Sequence, residues 1–186
     1  MANVGHMFVR GRRMAGVWAV AAVALALTTA CTPAPGPQPS PSPTGFASEE
    51  EAFAAAEETY RAYVDALNQV DLSDPETFEP VYAWLAADSL ESSKKTFSEM
   101  HANGWTVNGP TNFDQATLKS ARGHDVVLEL CLDVTQVDVL DADQNSVVPE
   151  DRLDRQPLQV TFGHANTASG LVITDSDAIE SALCGM

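Results

Sequence analysis

A change of hydrophobic rhythm near Trp105 sets what this chain can become. Upstream, apolar residues return every three to four positions: Phe53, Ala56, Tyr60, Tyr63, Val64, Leu67 and Val70. Downstream they return every second position, as in Val126, Leu128, Leu130, Leu132 and Val134. The first pattern buries one stripe of a helix and the second one face of a strand. Helices followed by strands, with no helix between strands, is the order of an α+β fold with an antiparallel sheet.

Local signals divide the helical part into three. Ser48 and Glu51 have the form of a capping box, with Glu49, Glu50 and Glu51 at the positive helix end, and predict a long helix running to about Asp71. Asp74 and Pro75 suit the cap and first position of a shorter helix through Val81, Trp84 and Leu85, which Pro80 bends or delays. Asp88 with Glu91 repeats the capping box, opening a third helix that presents Leu90, Phe97 and Met100, turns Lys94 and Lys95 outward, and stops at Asn103-Gly104.

In the second half, Glu129, Cys131, Asp133 and Thr135 fall on the face opposite the apolar one. Beyond Gln136 the apolar positions change parity to Val137 and Val139, which predicts a bulge and a bend within one long strand. Asp141 to Ser146 reads as a hairpin loop, Leu158, Val160 and Phe162 as the returning strand, with further strands expected around 112–118 and 171–174.

The first 45 residues have a different character. Arg10, Arg12 and Arg13 precede an apolar run of 17 residues, Met14 to Ala30, without an acidic residue, as in an export signal. Thr28, Thr29 and Ala30 then lead to Cys31, with Thr28 at the place where a leucine is usual. This stretch resembles the lipobox of bacterial lipoproteins, which implies cleavage before Cys31 and a diacylglycerol on its thiol. An ordinary signal cut near Ala30, or an uncleaved membrane helix, is the alternative. From Pro33 to Pro43 every odd position is proline, which neither helix nor sheet accommodates, so 31–45 reads as a semi-rigid tether. At about 3.1 Å per residue it would reach roughly 40 Å. The expected organisation is thus 1–30 signal peptide, 31–45 lipidated cysteine and tether, and 46–186 one α+β domain on the outer side of the cytoplasmic membrane.

All 26 acidic residues but only seven of the ten basic ones follow Cys31, a formal charge of −19. Such a surface repels nucleic acid and anionic headgroups and attracts cations or basic partners. With Cys31 assigned to the anchor, Cys131 and Cys184 remain, and an even pair in an exported chain is most simply a disulfide. A nucleophilic Cys131 would need a histidine partner, and His101, His124 and His164 stand in no recognised relation to it.

A long first helix, two shorter ones and a bent antiparallel sheet, with the stretch Leu130 to Val139 leading into an acidic hairpin, resemble the cone-shaped NTF2-like fold. That fold is shared by nuclear transport factor 2, ketosteroid isomerases, scytalone dehydratase and many exported actinobacterial lipoproteins. The resemblance covers about residues 48–175 and implies three helices packed on a curved sheet, with Cys131 and Cys184 clamping the tail over the outer side, a face that relatives often use to dimerise. It carries no catalytic motif onto numbered residues.

Two sharper readings compete with plainer ones. Asp141, Asp143 and Asn145 have the first spacings of a calcium loop, but Ser146 replaces the turn glycine and Arg152 the bidentate glutamate, so a solvated hairpin is preferred and no metal is expected. Tyr60, Tyr63, Trp84, Trp105 and Phe113 are candidate walls of a pocket between helices and sheet, with Asp114, His101 and Asp133 as polar groups that could work there. The resulting expectation is a lipid-anchored binding module for a small ligand or an envelope protein, without cofactor and without nucleic acid. The alternative is a pocket enzyme of the isomerase or dehydratase type using a desolvated carboxylate.

Overall fold

The computed structural model describes residues 45–185. The leader, Cys31 and the proline run from Pro33 to Pro43 lie outside the described residues.

Helix α1 spans Glu49–Leu67 and starts as its cap predicts: the Ser48 hydroxyl accepts the Glu51 amide at 3.1 Å, and the Glu51 carboxylate takes the Ala47 amide at 2.8 Å. It ends four residues before the expected Asp71. Asn68 leaves the helix because its side chain both donates to and accepts from the Thr111 backbone, each at 2.8 Å. Asp74 caps the next segment through the Glu76 amide, but Pro80 splits it into a single 3-10 turn, Pro75–Phe78, and one turn of α-helix, α2, Glu79–Tyr82.

Helix α3 spans Ala87–Ala102, and the expected Asp88–Glu91 capping box does not form. Its start is fixed instead by the sheet: the Ala86 amide donates to the Ile173 carbonyl at 2.8 Å and the Ile173 amide to the Trp84 carbonyl at 2.9 Å. This short parallel bridge at Leu85 holds Ala87 at φ 47°, a left-handed value strained for alanine.

Six strands follow: β1 Thr106–Asn108, β2 Asn112–Arg122, β3 Asp125–Asp133, β4 Asp138–Leu140, β5 Arg155–His164 and β6 Leu171–Ala178. Four of them form an antiparallel sheet in the order β2-β3-β5-β6. The change of parity after Gln136 is not a bulge in a continuous strand. The chain leaves the main sheet at Asp133, whose carboxylate accepts the Thr135 amide at 3.0 Å, turns, and re-forms as β4 in a separate two-stranded ribbon with β1. Gly109 (φ 83°) makes this possible, because a Cβ there would lie 1.8 Å from the Gln136 carbonyl oxygen.

The bulges sit in β2. Phe113, Leu118 and Ala121 are spaced by odd numbers, yet all three stand opposite inward residues of β3: Leu132, Leu128 and Val126. Register shifts between Asp114 and Thr117 and between Leu118 and Ser120 absorb the mismatch and bend the sheet, with Gln115 at φ 53°.

The bent sheet closes on the helices around one core. Ala52, Ala56, Tyr60 and Val64 of α1 meet Val126, Leu128, Leu130, Val160, Phe162 and Ile173 of the sheet, all buried. Full burial of each large aliphatic or aromatic side chain there contributes about 1.5–3 kcal/mol. On the opposite face the Cys131–Cys184 disulfide, with Cα atoms 5.3 Å apart, holds the 3-10 turn Ala182–Cys184 against β3 and β5. Cys131 thereby becomes fully buried on the outer side of the sheet.

Candidate functional site

A cavity of about 240 Å³ opens between α1, α3 and the β5–β6 side of the sheet. Its existence follows from what α3 presents there. Ser89, Ser92 and Ser93 recur at helical spacing on the side toward α1, where larger apolar residues would fill the gap. Phe97 and the partly buried Leu90 and Met100 take the core-facing stripe beside it.

Tyr60 and Tyr63 form the α1 wall, their rings 5.7 Å apart. Tyr60 is 2 % exposed and packs edge-on against Phe113 at 4.9 Å, which fixes its ring. Neither phenol has a hydrogen-bond partner among the described residues, and both residues line the open space. Burial pushes both phenols above the ordinary tyrosine range, and at Tyr60 the neighbouring Tyr63 adds to the effect. Both therefore stay protonated. Buried Leu85 and Ile173 supply apolar floor, and Asp88 and Asp175 stand at the more exposed side.

An irregularity in β6 decides which of its residues faces the interior at the cavity edge. Phe162 pairs with Ile173 but Thr161 with Asp175, so Thr174 is an extra residue and Ser176 comes opposite the inward Val160. Asp175 and Ser176 both line the space.

Of the five aromatic residues proposed as walls, Tyr60 and Tyr63 line the cavity and Phe113 supports Tyr60 from behind. Trp84 and Trp105 lie elsewhere: Trp84 gives its carbonyl to β6, and Trp105 packs on the core beside β1. The polar candidates are also elsewhere. Arg155 ties Asp114 at 2.7 Å to Asp133 at 3.1 Å across β2, β3 and β5. Hydrogen bonds from Thr135, with Arg155 adding, hold the Asp133 carboxyl below its usual range, opposite to what a proton-abstracting base needs. His101 makes a 2.7 Å hydrogen bond between Nδ1 and the Leu72 carbonyl. His124 and His164 stack on each other at 4.5 Å, beside Phe46.

Asp141 in the acidic hairpin spends its carboxylate on the turn itself, accepting the Asp143 and Asn145 amides at 2.9 Å each, which lowers its pKa. Among the described residues no three His, Cys, Asp or Glu side chains gather into a metal-binding group. The sequence reading missed Asp88, Ser89, Ser92, Ser93, Asp175 and Ser176. The serine spacing on α3 was the available signal; the Thr174 irregularity had none.

No protein-family model matches the chain, and no curated protein sequence does. Among solved structures, the intermembrane space region of chloroplast protein ARC6 is similar with a TM-score of 0.52 at 15 % identity, over 69 % of this chain and 97 % of that one. A Catenulispora acidiphila protein in complex with S-DNPA gives 0.47 at 12 %, over 70 % and 93 %. Agrobacterium tumefaciens VirB8 gives 0.39 at 10 %, over 74 % and 97 %. Three helices followed by a curved antiparallel sheet make this an α+β protein of the NTF2-like fold. Identities this low speak for the fold alone.

Proposed function

We propose that this chain is an extracytoplasmic lipoprotein, held at the outer side of the cytoplasmic membrane by a diacylglycerol on Cys31, whose NTF2-like domain binds a small ligand without transforming it. The observation that carries the binding part is the cavity beside Tyr60: a phenol 2 % exposed, without an internal hydrogen-bond partner among the described residues, next to a floor of Leu85 and Ile173. Open polar and apolar surface of this kind is what a ligand satisfies. A volume of about 240 Å³ suits an occupant smaller than the drug-sized ligands of ~300–1,000 Å³ pockets.

The location rests on the leader and tether of the sequence, with two supporting features. One is the Cys131–Cys184 disulfide, a bond that persists in oxidising compartments. The other is the fold likeness to a region of ARC6 that lies in an intermembrane space. Among the described residues no helix is long and apolar enough to cross a membrane. Binding without chemistry is favoured because the carboxylates at the cavity stand toward solvent: Asp88 is exposed and Asp175 only half-buried. The desolvated carboxylate that the isomerase alternative needs is not among them.

Two experiments test this. Cys31→Ser should move the protein from the membrane fraction to the soluble extract, and an unchanged distribution overturns the anchor. Ligand-observed NMR of the full chain against small cationic, neutral and anionic fragments should give binders that Ser93→Leu abolishes. If no fragment of any charge depends on Ser93, the cavity is not a binding site.

A further inference from the structure

We propose that the cavity selects a small organic cation, an ammonium or guanidinium compound with an apolar moiety, and this rests on the cavity being the ligand site. Among the described residues its lining carries Asp88 and Asp175, the two phenols and the serine hydroxyls, but no lysine, arginine or histidine.

Among the described residues the carboxylates have no countercharge, because the basic side chains on the enclosing elements are engaged elsewhere. On α1, Arg61 pairs with Glu57 at 2.6 Å and lies over the Phe113 ring. On α3, Lys94 lies 5.4 Å from the centre of the Tyr82 ring, Lys95 reaches Glu99 at 4.0 Å, and His101 is bonded to Leu72. On β5, Arg155 is committed to Asp114 and Asp133. Asp177 adds a third carboxylate close to Asp175, whose charge raises the Asp177 pKa.

Three ligand classes can be compared on these facts. An anion would enter beside Asp88 and Asp175 with nothing positive to receive it. A hydrocarbon would leave the Tyr60 hydroxyl unpaired as it displaced water. A cation meets uncompensated carboxylates at the open side and, among the lining residues, two tyrosines whose phenol oxygens accept a hydrogen bond. The phenols remain neutral, so they receive an N–H or lie under a quaternary methyl group without competing for the charge. Leu85 and Ile173 take the apolar part.

The test compares probes of similar size and different charge on the full chain by calorimetry. Choline and methylguanidinium are the cations, 3,3-dimethylbutanol is the uncharged isostere of choline, and isovalerate is the anion. At least one cation should bind, more weakly as salt is raised, with 3,3-dimethylbutanol at least about tenfold weaker. Asp175→Asn and Asp88→Asn should each weaken the cation about tenfold and leave the isostere unchanged. Both variants are near-isosteric, and unchanged thermal unfolding shows that they fold.

If 3,3-dimethylbutanol or isovalerate binds as tightly as the cations and Ser93→Leu abolishes it, the charge selection is wrong while the ligand site stands. If neither cation binds but a neutral or anionic fragment does, the same holds. If none of the four binds and no fragment depends on Ser93, the site falls as well.

Discussion

The two long helices over the sheet use it in opposite ways. Helix α1 buries Ala52, Ala56, Thr59, Tyr60 and Val64 in 19 residues, whereas α3 buries only Phe97 in 16. Under α1 the inward Val126, Leu128, Leu130 and Val160 are fully buried; beside α3 serines and aspartates leave the space open. Stability is concentrated under one helix, then, and vacancy is maintained by the other. A chain selected only to fold would fill both sides.

The largest effect expected from this contrast is in the filled half. Phe162→Ala, at a side chain 1 % exposed, should cost about 3–5 kcal/mol in denaturant unfolding. A loss under 1 kcal/mol would mean the packed half is not what holds the domain together. Next comes the clamp on the other face: Cys184→Ser opens a loop spanning 53 residues and should cost about 4 kcal/mol. If reduction with a thiol reagent leaves the wild-type unfolding midpoint unmoved, the clamp contributes nothing.

In the open half the sign reverses. Ser93→Leu should leave stability unchanged or raise it by up to about 2 kcal/mol, because it fills space instead of creating it. Destabilisation beyond 1 kcal/mol would mean that the α3 side is already packed.

Smaller still are the titrations. The Tyr60 pKa is raised in the folded state, so its contribution is fully present below the unfolded value of about 10 and is lost as pH rises beyond it. Tyr60→Phe should flatten the alkaline arm of the stability curve. Asp133 has a lowered folded pKa, so its contribution is present above about pH 4 and is lost as pH falls through the folded value. Asp133→Asn should weaken the acid dependence slightly; a steeper acid arm would contradict the assignment.

How much of this could be read from residues alone depends on whether a pattern is local. The Ser48 cap, the alternation of Val126 to Leu132 and the pairing of Cys131 with Cys184 are signals carried by a few positions, and all three are present in the structure. The end of α1 was misplaced because Asn68 is drawn away by Thr111, 43 residues on. The start of α3 was misplaced because β6 fixes Ala86 from outside. The parity change at Gln136 was visible, but whether it marks a bulge or a departure to another sheet depends on β1, which offers only three residues. At the cavity the tyrosines announced themselves as aromatic residues, while Asp114 and Asp133 were chosen without sight of Arg155. Ser176 owes its inward place to one extra residue in β6, and no composition or period encodes that.

The two irregularities of β2 have a consequence for how copies of this protein tolerate crowding. β2 is the outer edge of the sheet and 11 residues long, an open row of amides and carbonyls that in a flat strand would template a neighbour's chain. The interruptions at Gln115 and near Lys119 break the repeat twice, so no long run of that edge offers an even ladder to a second molecule. Straightening β2 by deleting Gln115 would be the change most apt to turn a well-behaved domain into one that assembles edge to edge.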